Sequence, residues 1–300
     1  MLEPLITHCD ASNFDAAVAF IANLNGNAGD HIGYFDTAAA DIARSLRELA
    51  LPVEEGFRLA VQDGQIVGVL GIEADAEIGR AWIYGPLVRH PHWHDVTDRL
   101  YADALPSIPP GISQQQIFCD GRNHNCRAFA ARHGFTLISE SANMALTRAD
   151  LERLPHASAA AMDERFHDQF RDLHPRLMPN TYFTAQQILD RLGADAHLLI
   201  ATQAETLLGY VFSQAGPGVS EGYIDFVAVA ELARGRGIGA GLVAAAARDA
   251  FLWPAINLVR LTVNTANLPA VRLYERLGFA RERTMMAFGK TMALTARQSK

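Results

Sequence analysis

The residues whose types and spacing speak most directly of chemistry lie in Phe226-Val-Ala-Val229-Ala-Glu-Leu-Ala-Arg234-Gly235-Arg236-Gly237-Ile238-Gly239-Ala240. An apolar strand runs into a glycine-rich turn, and Leu242 to Phe251 follows with helical spacing and no breaker. The first N–H groups of a helix have no partner inside it, and the helix dipole favours negative charge beside them. Glycines there let the backbone approach a phosphate without a Cβ in the way, and Arg234 and Arg236 add positive charge. The chemistry is anion binding, with a pyrophosphate as the natural occupant; a closely packed flexible turn is the bland alternative. No Gly-Lys-Ser/Thr follows, so this is not a Walker loop. Nor does it open a βαβ unit, as a dinucleotide fingerprint would.

A second pattern follows: Asn267-x-x-Ala270-x-x-x-Tyr274-x-x-x-Gly278-Phe279. The first half of the chain holds a diverged copy, Asn123-x-x-Cys126-x-x-x-Ala130-x-x-x-Gly134-Phe135. Asparagine to glycine is 278 − 267 = 11 residues in one copy and 134 − 123 = 11 in the other. Each copy reads as strand, polar turn, short helix, then Gly-Phe entering a further strand, the glycine suiting a helix C-terminal cap.

Together the two patterns, in this order, resemble the GNAT (GCN5-related) N-acetyltransferases, well over residues 155–300 and faintly over 1–150. Arg234-x-x-Gly237-x-Gly239 is the part similar to that family's acyl-CoA signature, with Glu231 departing from a common proline. The resemblance implies direct transfer of an acyl group from acetyl-CoA, as cosubstrate, to a primary amine of a small molecule or peptide. It assigns the backbone of Arg234, Gly235, Arg236, Gly237, Ile238, Gly239 and Ala240 to the CoA pyrophosphate. It pairs Val227 and Val229 with the pantetheine amides, places Asn267 on the CoA arm and sets Tyr274 near the sulfur. A phenol there can hand a proton to the departing thiolate; packing on an amphipathic helix is the alternative role. Members that acetylate protein N-terminal amines often carry Glu where this chain has Thr262, which speaks against that acceptor class.

The acceptor ammonium must lose a proton before it can attack. Asp225 is the first candidate base and Glu221 the second. Strict alternation puts Asp225 on the face of Val227 and Val229, opposite Phe226 and Ala228. A carboxylate in an apolar strand is otherwise an exposed or salt-bridged residue. The competing functional readings are an acyl-CoA-binding regulatory module without turnover and a nucleotide-binding module.

The elements that must position these residues also read twice. Helices are expected over 13–24 and 37–49, then over 162–174 and 184–192. Strands are expected over 57–62, 66–74 and 81–88, then over 197–202, 206–213 and 222–229, with Asp63-Gly64 as a hairpin turn. The fold class is mixed α/β: two tandem domains, each a mostly antiparallel mixed sheet flanked by helices. The expected boundary is 153/154, within Leu154-Pro-His-Ala-Ser158. The first copy should fold without catalysing. His90-Pro91-His92-Trp93-His94-Asp95 replaces the glycine-rich turn, Pro91 has no N–H to donate, and Ala130 takes the place of Tyr274. The three histidines read as loop residues rather than metal ligands, and no metal is expected. His31–Phe35 is expected to line a cleft between the domains, and 175–183 to shape the acceptor pocket.

Of 300 residues, 49% are apolar, and 26 basic against 33 acidic side chains give −7, which argues against nucleic acid and anionic membranes as partners. Apolar runs such as Leu242–Ala247 are far short of the ~20 residues of a bilayer span. Met1-Leu2-Glu3-Pro4 lacks the basic start of a leader, and Cys9, Cys119 and Cys126 read as reduced thiols, so a cytoplasmic location is expected. Homodimerisation is left open.

Overall fold

A two-residue turn of type I′ needs positive φ at both central positions to match the twist of its strands. Asp63 (φ 50°) and Gly64 (φ 75°) supply it in the first half of the chain, in a computed structural model that describes residues 3–156, 159–179, 181–217 and 219–292. Met1, Leu2, Ala157, Ser158, Asn180, Gly218 and residues 293–300 lie outside the described residues. The expectations about a leader and parts of the 153/154 boundary segment and of 175–183 fall there.

The first half contains β1 (Leu5–His8), α1 (Phe14–Asn25), α2 (Ala39–Arg47), α3 (Val53–Gly56), β2 (Phe57–Gln62), β3 (Gln65–Asp75), β4 (Arg80–Val88), α4 (Trp93–Ala104), β5 (Gln114–Asp120), α5 (His124–Arg132) and β6 (Thr136–Thr147). The second contains β7 (Ala160–Ala161), α6 (His167–Leu177), α7 (Ala185–Arg191), β8 (Ala196–Gln203), β9 (Thr206–Gln214), β10 (Gly222–Val229), α8 (Ile238–Ala250), β11 (Leu258–Asn264), α9 (Leu268–Arg276) and β12 (Ala280–Thr291). The repeat is metrical: β5 and β11 have 7 residues each, α5 and α9 have 9, and β6 and β12 have 12. Gly134 (φ 75°) and Gly278 (φ 96°) end the paired helices in the left-handed conformation, which few other residues adopt without cost.

Two compact units emerge, Met1–Glu140 with Thr284–Lys300, and Ser141–Arg283. Within the first, strands run β1-β2-β3-β4-β5-β12; within the second, β6-β11-β10-β9-β8-β7. Neither follows the 153/154 cut. Residues 285–291 of β12 pair antiparallel with β5, and residues 141–147 of β6 pair antiparallel with β11. Each unit therefore takes one strand from the other half of the sequence. The sequence marks where a strand begins but not which partner it selects.

The second unit buries apolar side chains on both faces of its sheet. Val211, Ile224, Val259, Leu261 and Val263 pack with α8 and α9. Phe212, Tyr210, Phe226 and Ala228 pack with α6 and α7. The expected helix over 162–174 begins later, because the Asp163 carboxylate accepts the Arg165 N–H and caps a short 3-10 turn before α6. Thr184 and Gln187 form a reciprocal capping box that starts α7. In the first unit, the segment His31–Phe35 is largely packed inward. Ile32 and Phe35 belong to the core, His31 is buried with Nδ1 bonded to the Asn25 carbonyl, and the Tyr34 ring packs on Tyr84. The three cysteines are buried and unpaired with one another by disulfides.

Candidate active site

The glycine-rich loop is built as its residue types require. Glu231–Ala233 makes one 3-10 turn after β10, and Gly235 (φ 76°) and Gly237 (φ 78°) then reverse the chain in the left-handed region. Gly237 is the N-cap of α8, and no side chain caps this end. The first intrahelical bond runs from the Gly241 N–H to the Gly237 carbonyl, so the N–H groups of Ile238, Gly239 and Ala240 precede the helical ladder. A Cβ on Gly235 or Gly237 would meet nothing within 4 Å, so backbone conformation, not crowding, demands glycine there. Arg234 donates from Nε to the Val229 carbonyl (3.2 Å) and Arg236 to Gln203 Oε1 (3.1 Å), which fixes both guanidiniums beside the helix start. These residues fit a pyrophosphate: an uncapped helix start, flanking cations and a backbone open to close approach.

The strand leading there has an edge to offer. β10 pairs in parallel with β11 only from Gly222 to Ile224, while Phe226–Val229 pairs with β9 on its other side. Val227 and Val229 thus lie where an extended ligand could add to the sheet. At the next corner, Asn267 caps α9, its Oδ1 accepting the Ala270 N–H (3.3 Å). That leaves the Nδ2 donors of this exposed residue for the arm it is expected to touch. Tyr274 is buried in α9 against Phe279, ring centroids 5.9 Å apart, and burial pushes its phenol up to about 12.

Asp225 is not on the face that alternation assigns to it. The β10–β9 register slips between Ile224 and Phe226, so Asp225 is an extra residue in a bulge. Ile224 packs in the same cluster as Val227 and Val229, on the α8 side. Asp225 turns with Phe226 to the α6–α7 side, where Oδ1 accepts the Tyr182 hydroxyl (2.7 Å) and Oδ2 accepts from Gln214 Nε2 (3.0 Å). Burial raises its carboxyl from 3.8 to about 6 against the opposing pull of these two hydrogen bonds and of Arg191. A carboxylate so tuned is ionised at neutral pH yet basic enough to take a proton. Glu221, the second candidate base, is tied into an ion pair with Arg260, which also binds Glu282 (2.8 Å). Thr262 donates to Asn143 (2.8 Å) and shares a hydrogen bond with the Tyr223 hydroxyl (2.5 Å), extending a polar row from β10 across β11 to β6.

Sequence reasoning pointed to the segment 175–183 without singling out Tyr182 within it, and did not reach Gln214 or His174. His174 of α6 is buried; its Nε2 donates to the Phe183 carbonyl (3.0 Å) while Nδ1 accepts from Tyr210 (2.5 Å). It thereby pins the chain next to Tyr182. One signal was available: Tyr-Phe precedes the second helix of each half, as Tyr34-Phe35 and Tyr182-Phe183.

The equivalent places in the first unit carry other residues. Ala81 pairs with Gln115 as Gly222 pairs with Val259. Three residues on, Tyr84 stands for Asp225; five on, Pro86 stands for Val227 and has no N–H. His92 caps α4 where Gly237 caps α8, and Ala130 is fully buried at the tyrosine position. His90 bonds Gln62 and accepts the His92 N–H. Among the described residues no cluster of His, Cys, Asp and Glu is arranged to hold a metal ion, and no helix is long and apolar enough to cross a membrane.

Residues 159–279 match the acetyltransferase (GNAT) family. The match lies wholly in the second half of the sequence. A mycothiol acetyltransferase from Arthrobacter sp. (strain FB24) is 28% identical over 263 residues, spanning 79% of this chain and 78% of that protein. Two solved structures share the fold over 96% of this chain. A GCN5-related N-acetyltransferase from Sphaerobacter thermophilus has TM-score 0.73, 17% identity and 95% of its own length covered. A tandem GNAT protein from the clavulanic acid biosynthesis pathway has TM-score 0.72, 16% identity and 98% covered. Acetyl transfer is the activity named both for the family that residues 159–279 match and for the Arthrobacter relative.

Proposed function

We propose that this GNAT protein transfers the acetyl group of acetyl-CoA directly to a primary amine of a small molecule or peptide, with all the chemistry in the second unit. The observation that carries the reading is the uncapped start of α8, with Gly237 at its N-cap, at the end of a strand whose other edge is open beyond Ile224. Acetyl-CoA supplies an activated acetyl group when bound. Ile238, Gly239 and Ala240 donate N–H bonds to its pyrophosphate beside Arg234 and Arg236, and Val227, Val229 and Asn267 hold the arm. Asp225 takes the proton of the acceptor ammonium, and Tyr274 returns one to the sulfur. The first unit supports the fold only: Pro86, His92, Tyr84 and Ala130 remove an arm contact, the phosphate cradle, the base and the acid in turn.

Calorimetry of the whole chain should give one CoA per chain. Two equivalent sites would refute the confinement to the second unit. An amine panel tests turnover by free-thiol release, and the name of the Arthrobacter relative adds mycothiol-type acceptors to it.

Tyr274→Phe keeps the ring and its packing and removes only the hydroxyl. A phenol held near 12 stays in its donor form through the working range but is a weak acid. The expected loss in kcat is therefore about tenfold, the low end of what general acid catalysis provides. Acetyl-CoA affinity should barely change. Unchanged kcat, with chemistry rate-limiting, would reduce Tyr274 to a packing residue.

A further inference from the structure

We infer that Tyr182 is a positioning residue, whose hydroxyl aims the Asp225 carboxylate and keeps it in its ionised, proton-accepting form. The inference rests on the reading of Asp225 as base and adds to it the group that sets the base's orientation and basicity.

A bulge leaves Asp225 without a ladder partner, so the strand alone does not fix its side chain. Two donors do: Tyr182 on Oδ1 and Gln214 on Oδ2. Each carboxylate oxygen keeps a lone pair beyond these bonds, enough to receive the proton of an amine. Tyr182 is itself held by two rings, one of which is fixed in turn by its own neighbours. Its ring packs on Phe226 (4.7 Å between centroids) and Phe183 (5.0 Å); the Phe183 carbonyl is bonded by His174; the Arg191 guanidinium lies 4.0 Å over the Phe183 ring. Tyr182 is 37% exposed and its hydrogen bond to Asp225 lies on the exposed side of the unit, where a solvent-borne acceptor could approach the carboxylate.

The repeat separates the ring's role from the hydroxyl's. In the first unit Tyr34-Phe35 occupies the matching place, and Tyr34 faces Tyr84, not a carboxylate, at 5.2 Å between centroids. There the Tyr-Phe pair only packs. In the second unit the same pair packs and also bonds Asp225.

Other charged groups around Asp225 are few. Arg191 of α7 attracts its negative form. Glu221, just before β10, is paired with Arg260 of β11, which it shares with Glu282, and Tyr223 lies two residues before Asp225 on the strand. His174 of α6, behind Phe226, is held neutral by burial. Gln214 of β9 carries no charge. Loss of the Tyr182 hydroxyl should therefore be the dominant change in Tyr182→Phe.

The test is a carbon-13 titration of the aspartate side-chain carboxyls in the full chain, with the Asp225 signal assigned by its absence in Asp225→Asn. Wild type should titrate near 6. Tyr182→Phe should move the midpoint upward by about one unit, since a hydrogen bond to the charged form is lost. Gln214→Leu should move it the same way and guards against a packing fault peculiar to the first variant. A midpoint unmoved in Tyr182→Phe overturns the inference. Full amine acetylation by Asp225→Asn would instead overturn the base reading on which it rests, so the two failures are distinguishable.

Discussion

Gly237→Val abolishes measurable acetyl-CoA binding while leaving the fold intact. Gly237 sits at φ 78°, where a β-branched residue is a genuine outlier. Forcing valine to hold that conformation costs roughly 1–2 kcal/mol, which a domain of this size tolerates. The binding loss should be larger, because two effects add. A Cβ at Gly237 meets no protein atom within 4 Å, so it stands in open space beside the proposed pyrophosphate site. Any relaxation of the turn also re-aims the N–H groups of Ile238, Gly239 and Ala240, which are proposed to share one anion. Several charge-assisted hydrogen bonds at about 1.5–3 kcal/mol each are at stake, so affinity should fall by more than about a hundredfold. Calorimetry measures it, with circular dichroism as the control for folding. A Gly237→Val chain that binds within threefold of wild type would show that the phosphates lie elsewhere.

Asp225→Asn has the next largest effect and shifts two quantities in opposite directions. Turnover should fall about 10²–10⁴-fold, the contribution of a positioned general base. The acid limb of kcat/KM near pH 6 should disappear with it. Stability should rise. A carboxyl raised from 3.8 to about 6 binds its proton more tightly in the folded chain, so its stabilising contribution is fully present below 3.8 and is lost as pH rises through 6. At pH 8 the ionised group is a cost to the fold, and its neutral isostere removes that cost. Tm should therefore exceed wild type by a few degrees at pH 8 and match it near pH 4. Unchanged turnover would return the role to water or another group; a lower Tm at pH 8 would mean that Asp225 stabilises the fold as an anion.

The two variants probe parts of the site that differ in how legible they were. Gly237 is local: a left-handed N-cap, a helix start and two arginines all lie within a few residues, and φ at one glycine does not depend on a distant strand. The capping asparagines Asn123 and Asn267, the cap glycines Gly134 and Gly278, and the loss of the tyrosine at Ala130 were open to reading for the same reason. Asp225 is different. Its residue type was visible, but its face was not. Alternation holds only while the register holds, and one slipped residue against β9 moved the carboxylate from the α8 side to the α6–α7 side.

By itself, then, the sequence determined the order of the repeated elements, the glycine-rich loop and the absence of that loop from the first half. Those features are written in short-range backbone conformation and in spacing. Only the tertiary structure decided that β12 completes the first unit and β6 the second, since both are strands of ordinary pattern and pairing is chosen by partners more than a hundred residues away. It also decided the company Asp225 keeps. Tyr182 is 43 residues distant in sequence, and a hydrogen bond across that separation is set by how a loop packs on a bulged strand, which no local pattern encodes.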